Sequence, residues 1–197
     1  MNLVDRVKRI LLSPGTEWQV IEAEPTTPAQ LYTGYIVPLA AIGPIAQLTG
    51  YSVFGITVPL VGTYRVPIGS AISSALVTYV LSLAATYVLA LIIDGLAPTF
   101  NGQRSQIGAL KVAAYSSTAS WVAGIFYLIP GLRLLTILGL YSLYLLYLGL
   151  PIVMKAPREK AVAYTAVVIL AAIVLFMVIA MIGGRFMPVP TPAMTGP

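Results

Sequence analysis

Few side chains in this sequence could perform chemistry, and their types exclude most kinds of catalytic site. Histidine and cysteine are both absent, which removes histidine bases, thiolate chemistry and zinc or haem ligation through these residues. The six acidic residues are Asp5, Glu17, Glu22, Glu24, Asp94 and Glu159. A hard-cation site needs several oxygen ligands together, and only the N-terminal acids are close in sequence. The motifs G-x-x-x-x-G-K-[ST], H-E-x-x-H and G-x-S-x-G are missing, so we expect no enzyme, no cofactor and no metal.

A stripe of hydroxyl side chains is the most regular polar feature. Its members recur every four residues and lead toward Asp94: Ser70, Ser74, Thr78, Ser82 and Thr86. A four-residue step advances about 400° around a helix, so neighbouring members share a face. Such a stripe suits either a polar conduit or a seam where two helices approach closely. We favour the seam, because no ionisable group lies within the stripe, and we expect Ser116, Ser120 and Gly124 to form its partner.

Three charged residues fall near one predicted loop. Asp94 closes a predicted span, and Arg104 and Lys111 follow it. A charge at a span end needs a partner or water. Proton coupling through Asp94 is one interpretation, and we favour a simple interfacial charge.

Aromatic residues offer weaker hypotheses. Tyr141, Tyr144 and Tyr147 recur every third residue, which predicts packing in the core or at an interface more readily than a ligand groove. We expect Trp18 to anchor the chain at the membrane surface and Trp121 to lie in the core.

The composition indicates that these residues are positioned by elements embedded in a membrane. Hydrophobic residues make up 58% of the 197, charged residues 9%, and the mean hydropathy is +0.92. A soluble domain carries about a quarter charged residues, so lipid must cover much of this surface. The net charge of +5 is scattered over the loops, which argues against nucleic acid binding.

The fold class we predict is all-α: a polytopic membrane helix bundle of five transmembrane helices, preceded by a short amphipathic N-terminal segment. A crossing needs about 20 apolar residues. The predicted spans are residues 30–54, 66–93, 110–129, 132–154 and 161–183. Pro38 and Pro44 should kink the first span, and Pro130-Gly131 should make the third and fourth spans an antiparallel hairpin.

Two terminal segments flank the predicted membrane domain of residues 30–183. In residues 1–29 the apolar side chains of residues 3–12 fall on one helix face and the charged ones, Arg6 included, on the other. This helix either lies among cytoplasmic headgroups or packs on the bundle. We expect Thr16 to cap a second short helix and Thr27 with Pro28 to start the first span. The Pro-rich tail, residues 184–197, should be disordered.

Basic residues predict the orientation. An N-terminus inside the cell places eight of the 11 basic residues inside and three outside, which agrees with the positive-inside rule. The inner ones are Arg6, Lys8, Arg9, Arg104, Lys111, Lys155, Arg158 and Lys160, and the outer ones are Arg65, Arg133 and Arg185.

The order of several short motifs resembles a known family. The motifs are residues 13–18 (SPGTEW), 94–102 (DGLAPTFNG), 108–116 (GALKVAAYS), 129–132 (IPGL) and 141–151 (YSLYLLYLGLP). They resemble the prokaryotic branch of the Yip-one family, five-span proteins whose eukaryotic members interact with Rab-type GTPases. The Asp-Leu-Tyr-Gly-Pro-like stretch of the eukaryotic members is matched only loosely by residues 30–34, so Rab binding does not transfer.

The resemblance implies architecture and a role in membrane organisation or protein trafficking, without catalytic residues. We therefore expect a non-enzymatic scaffold or adaptor in a prokaryotic plasma membrane, with the C-terminus external. Its partners would be the bilayer and a membrane or peripheral protein. That protein should bind the cytoplasmic face, where Arg158 and Lys160 lie. The alternative is a small transporter or channel for a solute or lipid that uses the hydroxyl stripe and Asp94.

Overall fold

The computed structural model describes residues 2–58 and 62–184, and nearly all of them are helical. The Pro-rich tail therefore lies outside the described residues. The α-helices are α1 (Leu3–Leu12), α2 (Pro14–Ala23), α3 (Pro28–Leu31), α4 (Val37–Ala40), α5 (Ile42–Thr49), α6 (Ile68–Leu96), α7 (Gln106–Ser116), α8 (Thr118–Ala123), α9 (Tyr141–Val153) and α10 (Arg158–Gly184).

Helices α1 and α2 form a tight N-terminal hairpin. The side chain of Asn2 accepts a hydrogen bond from the Val4 N–H at 3.1 Å and caps α1. Ser13 ends α1, and α2 begins at once with Pro14 in its first position, where a missing N–H costs nothing. The predicted N-cap at Thr16 is therefore wrong: Thr16 lies inside α2, and its hydroxyl donates to the Ser13 carbonyl at 3.1 Å.

The first long helix, Pro28–Phe54, has the predicted start and a more irregular course than predicted. Thr27 and Gln30 form a reciprocal capping box before Pro28. Two π-helical segments, Tyr32–Ile36 and Gly50–Phe54, interrupt the α-helical pattern. The first of them immediately precedes α4, which holds Pro38; a proline removes a helical hydrogen bond, so the predicted distortion is present.

A small antiparallel ribbon follows the first long helix. Strands β1 (Ile56–Val58) and β2 (Gly62–Tyr64) pair Ile56 with Tyr64. The all-α prediction misses this ribbon, whose β-branched and aromatic residues favour extended backbone.

Within the described residues, four helices are long and apolar enough to cross a membrane: Pro28–Phe54, Ile68–Phe100, Pro130–Val153 and Arg158–Ile182. They agree with four of the predicted spans, and the helical membrane bundle is confirmed. The predicted span 110–129 is instead broken into α7, α8 and a 3-10 segment, Gly124–Leu128. The hydroxyls of Ser116 and Ser117 accompany the break by donating back to carbonyls of α7.

Helix α7 lies at the centre of the core. Every residue from Gly108 to Ser116 is buried, because α7 packs against α3, α6 and α9. The predicted hairpin at Pro130-Gly131 is present: Ser120 of α8 donates to the Gly139 carbonyl in the 3-10 segment Pro130–Leu140.

Candidate functional site

A buried ionic cluster joins α1 to α2 at the end of the bundle that carries the N-terminal hairpin. Arg6 is only 5% exposed. One terminal nitrogen donates to Glu17 Oε1 at 2.6 Å, and the other donates to Glu24. Its guanidinium also lies 5.6 Å from the centre of the Tyr115 ring. Two carboxylates and an aromatic face thus balance one buried cation.

The prediction that Arg6 lies on the solvent face of α1 is wrong. The spacing of Arg6 from its apolar neighbours in the sequence already indicated burial. Arg6 follows Leu3 by three residues and precedes Ile10 by four, so the three share one helix face. Ile10 is fully buried and Val4 is 53% exposed. The buried face of α1 is therefore rotated away from Val4 and includes a charge.

Lys111 joins the bundle core to the end of α2. The side chain is 6% exposed, and its ammonium donates to the carbonyls of Ile21 at 2.7 Å and Glu24 at 2.6 Å. The last carbonyls of a helix have no partner within it, and a nearby cation stabilises them. Lys111 thus holds the C-terminal end of α2 against α7.

A second ion pair connects α2 to the turn between α9 and α10. Lys155 Nζ lies 2.5 Å from Glu22 Oε1. This hydrogen bond and the positive charge hold the pKa of the Glu22 carboxyl below its usual value. Lys155 has a φ of 53°, a left-handed conformation that non-glycine residues seldom adopt. The pair fixes the position of a strained turn.

Trp18 is a core residue, and the prediction that it anchors the chain at the membrane surface is wrong. It is fully buried and makes an edge-to-face contact with Tyr115, with ring centroids 6.3 Å apart. A Cβ at Gly149 of α9 would lie 2.6 Å from the indole ring. The indole therefore needs a glycine at that position. Trp121, predicted as core, is partly buried against the core.

A small cavity of about 140 Å³ lies beside the Arg6 cluster. Its lining combines ionisable, hydroxyl, amide and phenol groups with apolar residues. The lining residues are Leu3, Arg6, Glu24, Thr26, Gln30, Leu31, Gly34, Tyr35 and Tyr115. Tyr35 and Thr118 share a 2.7 Å hydrogen bond below it. The lining charges, Arg6 and Glu24, already pair with each other.

Asp94 joins two helices and is not grouped with Arg104 and Lys111 as predicted. Its carboxylate accepts from the Ser105 N–H at 2.8 Å, and Ser105 in turn caps the start of α7. Arg104 is exposed, and within residues 2–58 and 62–184 it forms no ion pair. Asp94 therefore fixes the turn from α6 into α7.

The family model described as "Yip1 domain" matches residues 8–180. This chain belongs to the Yip1 domain family. It is 26% identical over 157 residues to the inner membrane protein YohC of Escherichia coli strain K12, covering 78% of this chain and 80% of YohC. YohC of Escherichia coli strain CFT073 matches to the same extent. No solved structure matches.

Four of the five motifs of this Yip1-domain chain meet at the end that holds the ionic cluster, and the motif at residues 129–132 lies at the other end. Trp18, from the first motif, packs on Gly149 of the last one. Lys111, from the third motif, binds the end of α2. At Gly102, in the second motif, a Cβ would lie 2.9 Å from the Met154 carbonyl oxygen. Tertiary contacts thus explain why motifs far apart in sequence occur together.

The hydroxyl stripe on α6 of this Yip1-domain protein is half-buried, except for the buried Thr86, and binds mainly its own helix. Ser70, Ser82 and Thr86 donate to carbonyls of Pro67, Tyr79 and Ser82 at 2.8–2.9 Å. Ser74 and Thr78 are half-buried. Helix α6 packs against α5, α7 and α10. Two of the predicted partner residues face elsewhere: Ser120 contacts the segment before α9, and Gly124 faces Gly43. The third, Ser116, is buried on α7 and donates to the Val112 carbonyl of its own helix.

The three tyrosines of α9 lie on its outer surface. Tyr141, Tyr144 and Tyr147 are all exposed. The rings of Tyr141 and Tyr144 lie 5.4 Å apart, and the Tyr141 hydroxyl donates to the Leu11 carbonyl at 3.1 Å. The structure thus adds a contact between α9 and the end of α1 that the sequence did not indicate.

The opposite end of the bundle holds a different charged site. Arg133 donates to the Gly55 carbonyl at 3.1 Å, and its guanidinium lies 4.8 Å from the centre of the Tyr51 ring. The Tyr51 carbonyl accepts from the Val66 N–H at 3.2 Å. The Arg133 contacts join the end of the first long helix to the 3-10 segment Pro130–Leu140.

Proposed function

We propose that this Yip1-domain protein is a non-enzymatic membrane scaffold or adaptor that contributes to membrane organisation or protein trafficking. Its partner would be a membrane or peripheral protein with an acidic surface, bound at the end that carries α1 and α2. The membrane would be a prokaryotic plasma membrane, which the name of the inner membrane relative YohC supports. We propose from the positive-inside rule that this end faces the cytoplasm.

The distribution of charge at this end carries the proposal. Three of its carboxylates are bound internally, two by Arg6 and one by Lys155. A fourth, Asp94, accepts a backbone hydrogen bond. Most of the basic residues are not used in this way and remain at the surface: Lys8, Arg9, Arg104, Arg158 and, half-buried, Lys160. Two exposed acids, Asp5 and Glu159, remain outside these pairs. The five cations outnumber them, so this surface is positive and an acidic protein would be attracted to it.

Three of these cations border one rigid region. The Gln103 N–H donates to the Met154 carbonyl at 2.7 Å, which brings the loop containing Arg104 against the turn before Arg158. Stacking of Phe100 on Tyr164, with centroids 4.8 Å apart, holds the same loop to α10. Arg104, Arg158 and Lys160 thus form a fixed basic surface, which we call the loop face.

The topology that we propose has five crossings, with the N-terminus inside and the C-terminus outside. The α7–α8 segment with Gly124–Leu128 would supply the third crossing inside the bundle, where neighbouring helices satisfy its broken backbone. Reporter fusions after Arg65, Arg104, Arg133, Lys160 and Arg185 should alternate outside, inside, outside, inside and outside. Two adjacent fusions on the same side would contradict five crossings.

The adaptor is tested by charge reversal on the loop face. Arg158→Glu with Lys160→Glu should abolish specific cross-linked protein partners in native membranes, while Arg65→Glu, at the other end, should leave them unchanged. Reporter fusions check that the topology of both variants is intact. Unchanged partners in the double variant, with solute flux in reconstituted vesicles that depends on Asp94, would replace the adaptor with the transporter.

A further inference from the structure

The hairpin of α1 and α2 runs alongside α9 and does not lie across its end. At the open end of the hairpin, Glu22 of α2 pairs with Lys155, just beyond the end of α9. At its turn, the Leu11 carbonyl accepts from the hydroxyl of Tyr141, the first residue of α9. Since α9 has 13 residues and a helix rises about 1.5 Å per residue, the two contacts lie about 18 Å apart along α9.

The contact with Tyr141 places the turn at membrane depth. Tyr141 lies midway along Pro130–Val153, a segment apolar enough to cross the membrane. The turn has side chains that suit this depth, because residues 10–16 carry no charge and Leu12 is 80% exposed. Transfer of an exposed aliphatic side chain from water to acyl chains is favourable.

The backbone of the turn also suits an apolar solvent, in which polar groups must find partners within the protein. The Ser13 N–H donates to the Arg9 carbonyl at 2.8 Å, and the Ser13 carbonyl accepts from the Glu17 N–H at 3.1 Å. Pro14 has no N–H, and the Leu11 carbonyl is bonded to α9. Only one residue separates the two helices, so little backbone at the turn is irregular.

The charges of the hairpin follow the same change in depth. Arg6 and Glu17 face inward and form a buried pair at 2.6 Å, as charges inside a membrane require. Between Glu17 and its last turn, α2 carries no charge. The exposed cations nearest the turn, Lys8 and Arg9, have long apolar stems, which let their charged heads reach the headgroup layer.

We propose that the α1–α2 hairpin is re-entrant: it enters one leaflet beside α9, and its turn, residues 10–16, contacts lipid acyl chains. Leu12 extends into the hydrocarbon, while Lys8 and Arg9 stay among the headgroups. The turn is thus a lipid-binding surface. This placement goes beyond the adaptor and does not rest on it, because the loop face lies at the open end of the hairpin.

Helix α1 itself supplies a matched pair of positions. Val4 and Leu12 are both aliphatic and both exposed, by 53% and 80%. In a hairpin that enters the membrane, Leu12 is deeper than Val4 by about 12 Å, because eight residues separate them at about 1.5 Å each. In a helix that lies flat on the membrane surface, the two depths are equal.

The test measures these two depths. The chain has no cysteine, so Val4→Cys and Leu12→Cys each carry a single nitroxide spin label in the full-length protein. In vesicles of phosphatidylethanolamine and phosphatidylglycerol, electron paramagnetic resonance compares collisions of the label with oxygen, which is enriched in hydrocarbon, and with a water-soluble nickel chelate. The label at residue 12 should lie in hydrocarbon, about 12 Å deeper than the label at residue 4. Equal depths, or a label at residue 12 in water, would overturn the re-entrant hairpin.

A second measurement uses the unmodified sequence. Phosphatidylcholine with a diazirine in its acyl chain is activated in the same vesicles, and fragmentation mass spectrometry locates the adducts. They should fall within residues 10–16 and not at Ala23 or Glu24, which are exposed at the open end. Adducts at both ends of the hairpin, or at neither, would contradict insertion of the turn. Charge reversal at Arg158 and Lys160, the test of the adaptor, should leave both results unchanged.

Discussion

Arg6 and Arg133 lie at opposite ends of the same bundle and have different partners. Arg6 lines a cavity with residues at the start of the first long helix, whereas Arg133 binds Gly55 just beyond that helix's end. Arg6 has two carboxylate partners and an aromatic ring. Arg133 has a carbonyl and a ring, and its Nε has no partner among the described residues.

The difference shows how the same side chain serves two purposes. At the N-terminal end a buried cation binds one buried carboxylate, Glu17, and one exposed carboxylate, Glu24. The buried pair holds two helices in one arrangement, because separating it would leave an unpaired charge in a poor solvent. At the other end a half-buried cation with neutral partners can keep contact with water. We therefore expect the N-terminal end to be the more sensitive to mutation.

Removal of a buried carboxylate should have the largest effect. Glu17→Ala leaves Arg6 with Glu24 alone and should lower the free energy of unfolding by about 3 kcal/mol, as when one partner of a buried pair is lost. The measurement is denaturant unfolding in mixed micelles. Glu159→Ala, at an exposed acid, should change stability by less than about 0.5 kcal/mol. Similar losses in both variants would show that the Arg6 cluster is not a structural centre.

A methyl group at Gly149 should rank second. Gly149→Ala places a Cβ 2.6 Å from the indole ring of Trp18 and should cost about 1–3 kcal/mol through overpacking. Gly95→Ala is the matched control, because its Cβ would meet nothing within 4 Å, and it should be neutral or stabilise by about 0.5–1 kcal/mol. If both variants keep wild-type stability and near-ultraviolet circular dichroism, the packing of α2 on α9 is looser than described.

Loss of the cation at the opposite end should cost less. Arg133→Met keeps an apolar side chain on Tyr51 but removes the cation–π contact, so we expect a loss of about 1 kcal/mol. Arg65→Met, at an exposed arginine, should be within about 0.5 kcal/mol of wild type. If Arg133→Met lowers the free energy of unfolding as much as Glu17→Ala does, the two ends are equally sensitive to mutation.

The exposed pair Glu22–Lys155 should give the smallest effect, seen as a pH dependence. The pKa of Glu22 is lowered in the folded protein from its ordinary value of 4.5. The pair therefore adds stability above pH 4.5, and that contribution is lost as the pH falls through the lower, folded pKa. Unfolding measured across the acid range should show a shallower pH dependence for Glu22→Gln than for wild type. Parallel curves would mean that the pair adds no stability.

Some local features followed directly from residue types. Thr27, Pro28 and Gln30 predicted the start of the first long helix because capping depends on neighbours in sequence. The course of segment 110–129 was harder to predict. Its average hydropathy is apolar in spite of its serines, and the average gives no sign that the helix breaks at Ser117. An average over a window does not report where a hydrogen bond is lost.

The charged and aromatic residues of the site were predicted least well. Arg6 and Trp18 were both expected at a surface, and Lys111 was expected near the loop that follows Asp94. Each is buried by residues distant in sequence: Glu17, Gly149 and the end of α2. Residue type alone predicts exposure for a charge, because burial requires a partner whose position the sequence does not give.

The sequence by itself determined that this is a membrane protein and which residues form four of its long helices. Hydropathy is a sum over neighbouring residues, so lipid solvation can be read locally. Only the tertiary structure decided which charges are internal and which remain at the surface, because ion pairs form between residues up to 133 positions apart. The electrostatic field of an end depends on that pairing, and for this reason the basic loop face and the exposed side of α1 emerged only from the fold.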